Sequence, residues 1–160
     1  MSPRAACRLE SLGYEDVYDY APGKSDWLAS GLTREGDSQK EAYAGDHAHP
    51  TVTCGPQESI ADVRDRVLAE KKDICLVVDH DEHVLGALYG DTLNKDGASL
   101  AEDVMDGAPQ TFRANEPLKN FTEERSKKDV KTVIVTTPHG RLLGVVERDE
   151  LEAHVQATKP

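Results

Sequence analysis

The sequence predicts a mixed α/β (α+β) fold built from one β-α-β-β-α unit used twice, the copies related by a pseudo-twofold axis, with a short helix-strand-helix extension in front. Three observations predict it. Residues 53–93, moved forward by 58 positions, land on residues 111–151 without a gap: Thr53 on Thr111, Glu58 on Glu116, Ile60 on Leu118 and Leu93 on Leu151. Each copy holds a continuous apolar run of strand length, Ile74–Val78 and Thr132–Thr136, of the kind that is buried on both faces. Each run is followed by a turn and a second run, Val84–Leu88 and Leu142–Val146, which makes a hairpin.

The totals exclude several function classes. A chain of 160 residues with 38% hydrophobic residues can build a core, and 31% charge marks it as soluble. The net charge of −11 argues against sequence-independent nucleic-acid binding and against an anionic membrane surface, both of which need clustered Lys and Arg. No run approaches the roughly 18 apolar residues of a membrane span. Met1–Cys7 has no apolar segment of the secretory kind. Cys7, Cys54 and Cys75 are widely spaced with no C-x-x-C, so neither a zinc site nor a redox motif is expected, and a reducing cytoplasm is the natural compartment.

In chain order, residues 4–14 read as an amphipathic helix through Ala5, Ala6, Leu9 and Leu12, stopped by Gly13. Val17–Tyr20 reads as a short strand, Pro22-Gly23 as a turn, and Ser25-Asp26 as the cap of a helix through Trp27 and Leu28. Residues 33–49 are polar and aperiodic, a linker; His47 and His49 lack a third ligand for a metal. In the first copy, residues 50–98, Thr51–Cys54 is a strand. A helix follows with Ile60, Val63, Val67 and Leu68 on its apolar face. Asp79–His83 is the hairpin turn, its carboxylates solvated, and a weaker helix starts near Thr92. In the second copy, residues 99–160, Leu100, Val104 and Met105 form a short helix and Pro109–Phe112 the strand. Leu118 and Phe121 mark a helix, Lys131–Thr136 the buried strand, Pro138-His139-Gly140 the turn, and 149–155 a last helix. No catalytic constellation and no glycine-rich phosphate loop is present in the sequence.

Residues 2–32, with Ala5-Ala6, Leu9, Leu12-Gly13-Tyr14, Val17-Tyr18, Gly23 and Trp27-Leu28, resemble the C-terminal end of a rhodanese-like domain. That resemblance implies a nucleophilic cysteine in a loop just before the helix of residues 4–12. The chain begins there, and Cys7 lies inside the helix, where a small buried residue is expected.

The two copies together resemble a tandem pair of CBS domains, a Bateman module. The carriers are the threonine strands Thr51–Cys54 and Pro109–Phe112, the Val77 and Val135 strands, Leu85-Gly86 and Leu143-Gly144, and Val104-Met105 before Pro109. The resemblance implies binding of AMP or another adenosyl ligand in clefts between the repeats and regulation of an attached domain. In the family a Thr or Ser three residues after the third-strand glycine meets phosphate, and an Asp three further on holds the ribose. A short hydroxyl at a helix start complements phosphate, and a carboxylate accepts two ribose hydroxyls. Here those positions are Tyr89 and Thr92 after Gly86, and Glu147 and Glu150 after Gly144. Glu147 puts a negative charge where phosphate would sit. Tyr89 offers a ring for a base, and Thr53 and Thr111 complete the candidate ligand residues. AMP and less charged adenosyl compounds are therefore expected over ATP.

The leading reading is a non-catalytic, ligand-sensing regulatory module, cytoplasmic and homodimeric. The helix-face residues Val63, Val67, Phe121, Leu151 and Val155, and the apolar side chains of the extension with a shielded Trp27, supply its dimer surface. The alternatives are the C-terminal part of a sulfurtransferase whose catalytic half is missing, and a dimerisation module with no ligand. A chain of this length should show no sulfur transfer from thiosulfate to cyanide. Activity that disappears in Cys7→Ser would overturn that expectation.

Overall fold

The computed structural model describes residues 3–33, 42–118, 120–121, 132–147 and 149–150. Two helices open it, α1 (Pro3–Ser11) and α2 (Gly23–Ala29). Repeat 1 then runs β1 (Val52–Cys54), α3 (Ile60–Ala69), β2 (Ile74–Val78), β3 (Val84–Tyr89) and α4 (Gly90–Leu93). After α5 (Ala101–Val104), repeat 2 contains β4 (Thr111–Arg113), helical residues Leu118, Asn120 and Phe121, β5 (Thr132–Thr136) and β6 (Leu142–Glu147). Lys131 and the last helix beyond Glu150, with Leu151 and Val155, lie outside the described residues.

Local chemistry explains why these segments form. Ser59 caps α3 by accepting from the Asp62 amide at 3.3 Å, and Ile60, Val63 and Val67 recur at helical spacing on one buried stripe. The apolar run of β2 divides by the strand's period of two. Cys75 and Val77 enter the core of repeat 1, while Ile74 and Leu76 face the other repeat. A strand covered on both faces has no polar positions to alternate, which is why the run reads as continuous.

The sheets have the same topology, β1-β2-β3 and β4-β5-β6, each with a parallel and then an antiparallel pairing. The registers correspond under the 58-residue shift: Leu76↔Ala87 matches Ile134↔Val145, and Val77↔Gly86 matches Val135↔Gly144. The sheets meet through Ile74, Leu76, Ala87, Ile134 and Val145. At the hairpins the Val84 amide donates to the Gly140 carbonyl at 3.0 Å, and the Leu142 amide to the Glu82 carbonyl at 2.9 Å. The same shift exchanges these two bonds, so they straddle a local twofold axis.

Each sheet is also closed by the other repeat's lead-in. Asp106, in the segment of repeat 2 that leads into β4, exchanges both backbone bonds with Ala87 of β3 at 3.0 and 2.9 Å. His49, which precedes repeat 1, does the same with Val145 of β6 at 2.8 and 2.9 Å. A Cβ at Gly86 would overlap the Met105 side chain and lie 2.9 Å from the Asp106 carbonyl oxygen, and one at Gly144 would lie 2.6 Å from that of His49. Gly144 also has φ +148°, a conformation that side chains rarely adopt. Gly144 is crossed by the His49 backbone, and Gly86 by the Asp106 backbone and the Met105 side chain.

Several expectations change. Val17–Tyr20 forms no strand, and Tyr18 is 82% exposed: among the described residues no strand pairs with it to complete a ladder. Cys7 is exposed. Leu68 is 66% exposed, because it falls one position off the Ile60-Val63-Val67 stripe. Val63, Val67 and Phe121 are buried within their own repeats, so they form no outer dimer face. Trp27 is 37% exposed, donates to the Thr33 carbonyl at 2.8 Å and meets the Tyr20 ring edge-on at 5.1 Å. The described part of the expected linker, residues 42–49, is packed. Ala44 is fully buried and its amide donates to the Glu116 carbonyl at 2.9 Å. Gly31 passes against Leu143 and Ala114, so the extension also meets repeat 2.

Gly86→Ala and Gly144→Ala should each lower stability by about 1–3 kcal/mol, Gly144→Ala more because strain adds to the clash. Chemical denaturation measures this, and two neutral substitutions would contradict the crossed-edge account.

Candidate functional site

β3 delivers Tyr89 opposite Ile74, the first residue of β2. Helix α3 stops just before β2 with a left-handed Lys71 (φ 52°). The amides of Lys71 and Lys72 close the end onto the carbonyls of Leu68 and Val67 at 3.2 and 3.1 Å. This turn holds Leu68 and Lys72 beside Tyr89.

Together they border a cleft of about 740 Å³ whose wall includes Arg64, Val67, Leu68, Lys72, Asp73, Ile74, Tyr89, Asp91, Leu93 and Asn94 of repeat 1 and Thr132 of repeat 2. Ile74 and Thr132 exchange under the 58-residue shift, so the cleft sits beside the twofold axis. Its counterpart across the axis falls largely on residues outside the description.

The floor is apolar (Val67, Leu68, Ile74, Leu93) with one aromatic wall, and the rim is charged. Arg64 is committed in part: its Nε donates to the Leu93 carbonyl at 2.6 Å and one terminal nitrogen to that of Lys95 at 2.8 Å. Lys72 reaches across the repeats to Glu147, Nζ to Oε1 2.7 Å. The bond to that carboxylate raises the lysine's pKa. Burial, then the nearby Asp106 carboxylate, raises that of the Tyr89 phenol, which stays neutral.

Of the expected site residues, the structure brings Tyr89 to this cleft and ties Glu147 to it through Lys72. Glu147 is thus a paired carboxylate, a local arrangement that the charge alone did not reveal. Thr92 stands beside the cleft with its hydroxyl in use. It accepts from the Tyr89 amide at 2.7 Å and donates to the Tyr89 carbonyl at 2.9 Å, which caps α4. Glu150 faces His49, with its Oε1 3.2 Å from Nε2. Thr111 is exposed at the start of β4, opposite Ile134.

Thr53 borders a different cavity of about 540 Å³, at the far end of β1 and β2, with Cys54, Glu58, Arg66, Asp79 and His80. There Glu58 accepts from the Gly55 amide at 2.6 Å and pairs with Arg66, whose Nε is buried without a partner. Hydrogen bonding from the Cys75 thiol lowers the Cys54 pKa, while the same bond and burial raise that of Cys75. Among the described residues no cluster of three or more His, Cys, Asp or Glu side chains is arranged to hold a metal ion. None of their helices is long and apolar enough to cross a membrane.

Sequence reasoning missed Lys72 and Arg64. One signal was available: both lie on α3 or its end, on the rim beside the apolar stripe. The partner of Lys72 lies 75 positions away, beyond any local pattern.

No family model and no curated protein sequence matches this chain. Solved structures do. The soluble part of a magnesium transporter superposes with a TM-score of 0.67 at 18% identity, over 77% of this chain and 51% of that one. A CBS domain pair in complex with 5′-methylthioadenosine and S-adenosyl-L-methionine gives 0.64 at 18%, over 74% of this chain and 99% of that one. The fold is that of a CBS domain pair. CBSX2 in complex with AMP matches equally, with a TM-score of 0.64 at 18% identity over 74% and 99% of the two chains. The chain spans about half the length of the transporter fragment and nearly all of the two smaller structures. In CBS-pair terms, the Tyr89 cleft lies where the two repeats meet, and the Thr53 cavity lies inside the first repeat.

Proposed function

We propose that the chain is a non-catalytic, ligand-sensing module that holds an adenosine-containing ligand, AMP or a compound of similar charge, in the Tyr89 cleft. One observation carries this reading: an apolar floor, an aromatic wall and a cation converge at the seam between the repeats. The purine fits Leu68, Ile74 and the Tyr89 ring. Asp91, one position short of where the family's carboxylate is expected, and Asn94 offer acceptors for ribose hydroxyls. Lys72 takes the phosphate. The neighbours crystallised with AMP and with 5′-methylthioadenosine and S-adenosyl-L-methionine support the ligand class.

A regulatory role follows from the position of the cleft, since a ligand at the seam acts on both repeats at once. The sulfur-transfer alternative has no support among the described residues, where Cys7 is exposed and Val17–Tyr20 forms no strand. Pairing of two copies belongs to the leading reading through the extension, which exposes Leu12, Tyr14 and Tyr18. Free thiols at Cys7, Cys54 and Cys75 fit a reducing cytoplasm.

Among the described residues the cleft has one available ammonium and a rim with Asp73, Asp91 and Glu147, so added phosphates meet carboxylates. Calorimetry should find AMP bound and magnesium-free ATP bound about tenfold more weakly, a difference of roughly 1.4 kcal/mol. ATP binding at micromolar affinity without magnesium would overturn this reading.

A further inference from the structure

Lys72 does two jobs in one place. It borders the Tyr89 cleft, and its ammonium is bonded to Glu147 of the other repeat at 2.7 Å. Among the described residues of the cleft the other cation is Arg64, which is partly spent on two backbone carbonyls. An anionic group entering the cleft therefore meets Lys72 as the side chain best able to move to it.

The link has no twin. The 58-residue shift carries Lys72 to Val130 and Glu147 back to Tyr89, so the symmetry-related positions hold residues that cannot form an ion pair. At the opposite end the repeats stay joined by the hairpin bonds Val84–Gly140 and Leu142–Glu82, and by Arg141 on the Glu82 carboxylate at 2.6 and 3.0 Å. The contacts at the hairpins can thus persist while the Lys72 link breaks. The Lys72–Glu147 pair is also weak in kind. Its side chains are 30% and 51% exposed, and an ion pair in that setting is held loosely. Just before Lys72, Lys71 stands in the left-handed region at φ 52°, which disfavours a side chain and stores strain at the hinge of this turn.

We propose that Lys72 is a ligand-released latch: the phosphate of a nucleoside monophosphate in the Tyr89 cleft takes the ammonium from Glu147 and parts the repeats at this end. A phosphate dianion offers more charge and three acceptors against one carboxylate. Once it is bound, Glu147 is repelled, because both anions would lie within reach of the same Nζ. Nucleosides without phosphate occupy the floor and leave the latch closed. The cleft thereby distinguishes AMP from adenosine by what each does to the seam. This rests on the ligand class proposed above.

The test is calorimetry of AMP and adenosine on the intact chain, in wild type, Glu147→Gln and Lys72→Met, with thermal unfolding to verify folding. Glu147→Gln removes the competitor and should tighten AMP by about two- to fivefold with adenosine unchanged. Lys72→Met should weaken AMP to the affinity of adenosine. If adenosine and AMP bind but Glu147→Gln leaves AMP unchanged, the latch is wrong and the site stands. If no variant binds either compound, the ligand reading falls and the latch with it. Should Lys72→Met not fold, the Glu147→Gln comparison decides alone.

Discussion

The structure depends on an exchange of sheet edges. Each repeat leaves its third strand open, and the segment leading into the other repeat closes it: Asp106 on Ala87, His49 on Val145. An unpaired edge is a liability for any sheet, and two half-finished sheets cannot each close their own. Crossing the lead-ins solves both problems and locks the copies into one body. It also dictates glycine at positions 86 and 144, where the crossing backbone leaves no room for a side chain. With the edges fixed, Leu76, Ala87, Ile134 and Val145 are pressed together between the sheets, where each fully buried Leu, Ile or Val side chain contributes about 1.5–3 kcal/mol. The seam and its cleft exist only because of that contact.

The functional consequence is asymmetry within a symmetric frame. The backbone obeys the twofold closely enough that the two hairpin bonds exchange, yet the residues it carries to the seam differ. One side presents Tyr89 and Lys72; the related positions are Glu147 and Val130. The repeat gives the two sides equivalent sequence positions, and the residues at those positions are chemically unlike. The pairing of Lys72 with Glu147 turns that difference into a bond across the repeats.

Much of this was legible in the sequence. The unit and its two copies followed from the gapless repeat, and β2 and β5 followed from runs with no polar interruption, because burial on both faces leaves a pattern in composition. What failed were inferences that needed tertiary neighbours. Val17–Tyr20 has strand-like residues, but no described strand pairs with it. Residues 42–49 look like a solvated stretch, yet Ala44 is buried and His49 closes a sheet, because backbone bonding is indifferent to polar side chains. Val63 and Val67 were placed on an outer face although their spacing fits the repeat's own core equally well. At the site, the offset from Gly86 points to Tyr89, which lines the cleft, and to Thr92, whose hydroxyl caps a helix beside it; Lys72 is not legible because its partner lies 75 positions away.

The central claim is that the ligand occupies the seam between the repeats and not the cavity inside repeat 1. Backbone amide NMR shifts during an AMP titration locate it directly. The account predicts the largest changes at Leu68, Lys72, Tyr89 and Thr132, residues from both repeats around one cleft. Changes centred instead on Thr53, Gly55 and Asp79, or no change at saturating AMP, would contradict it.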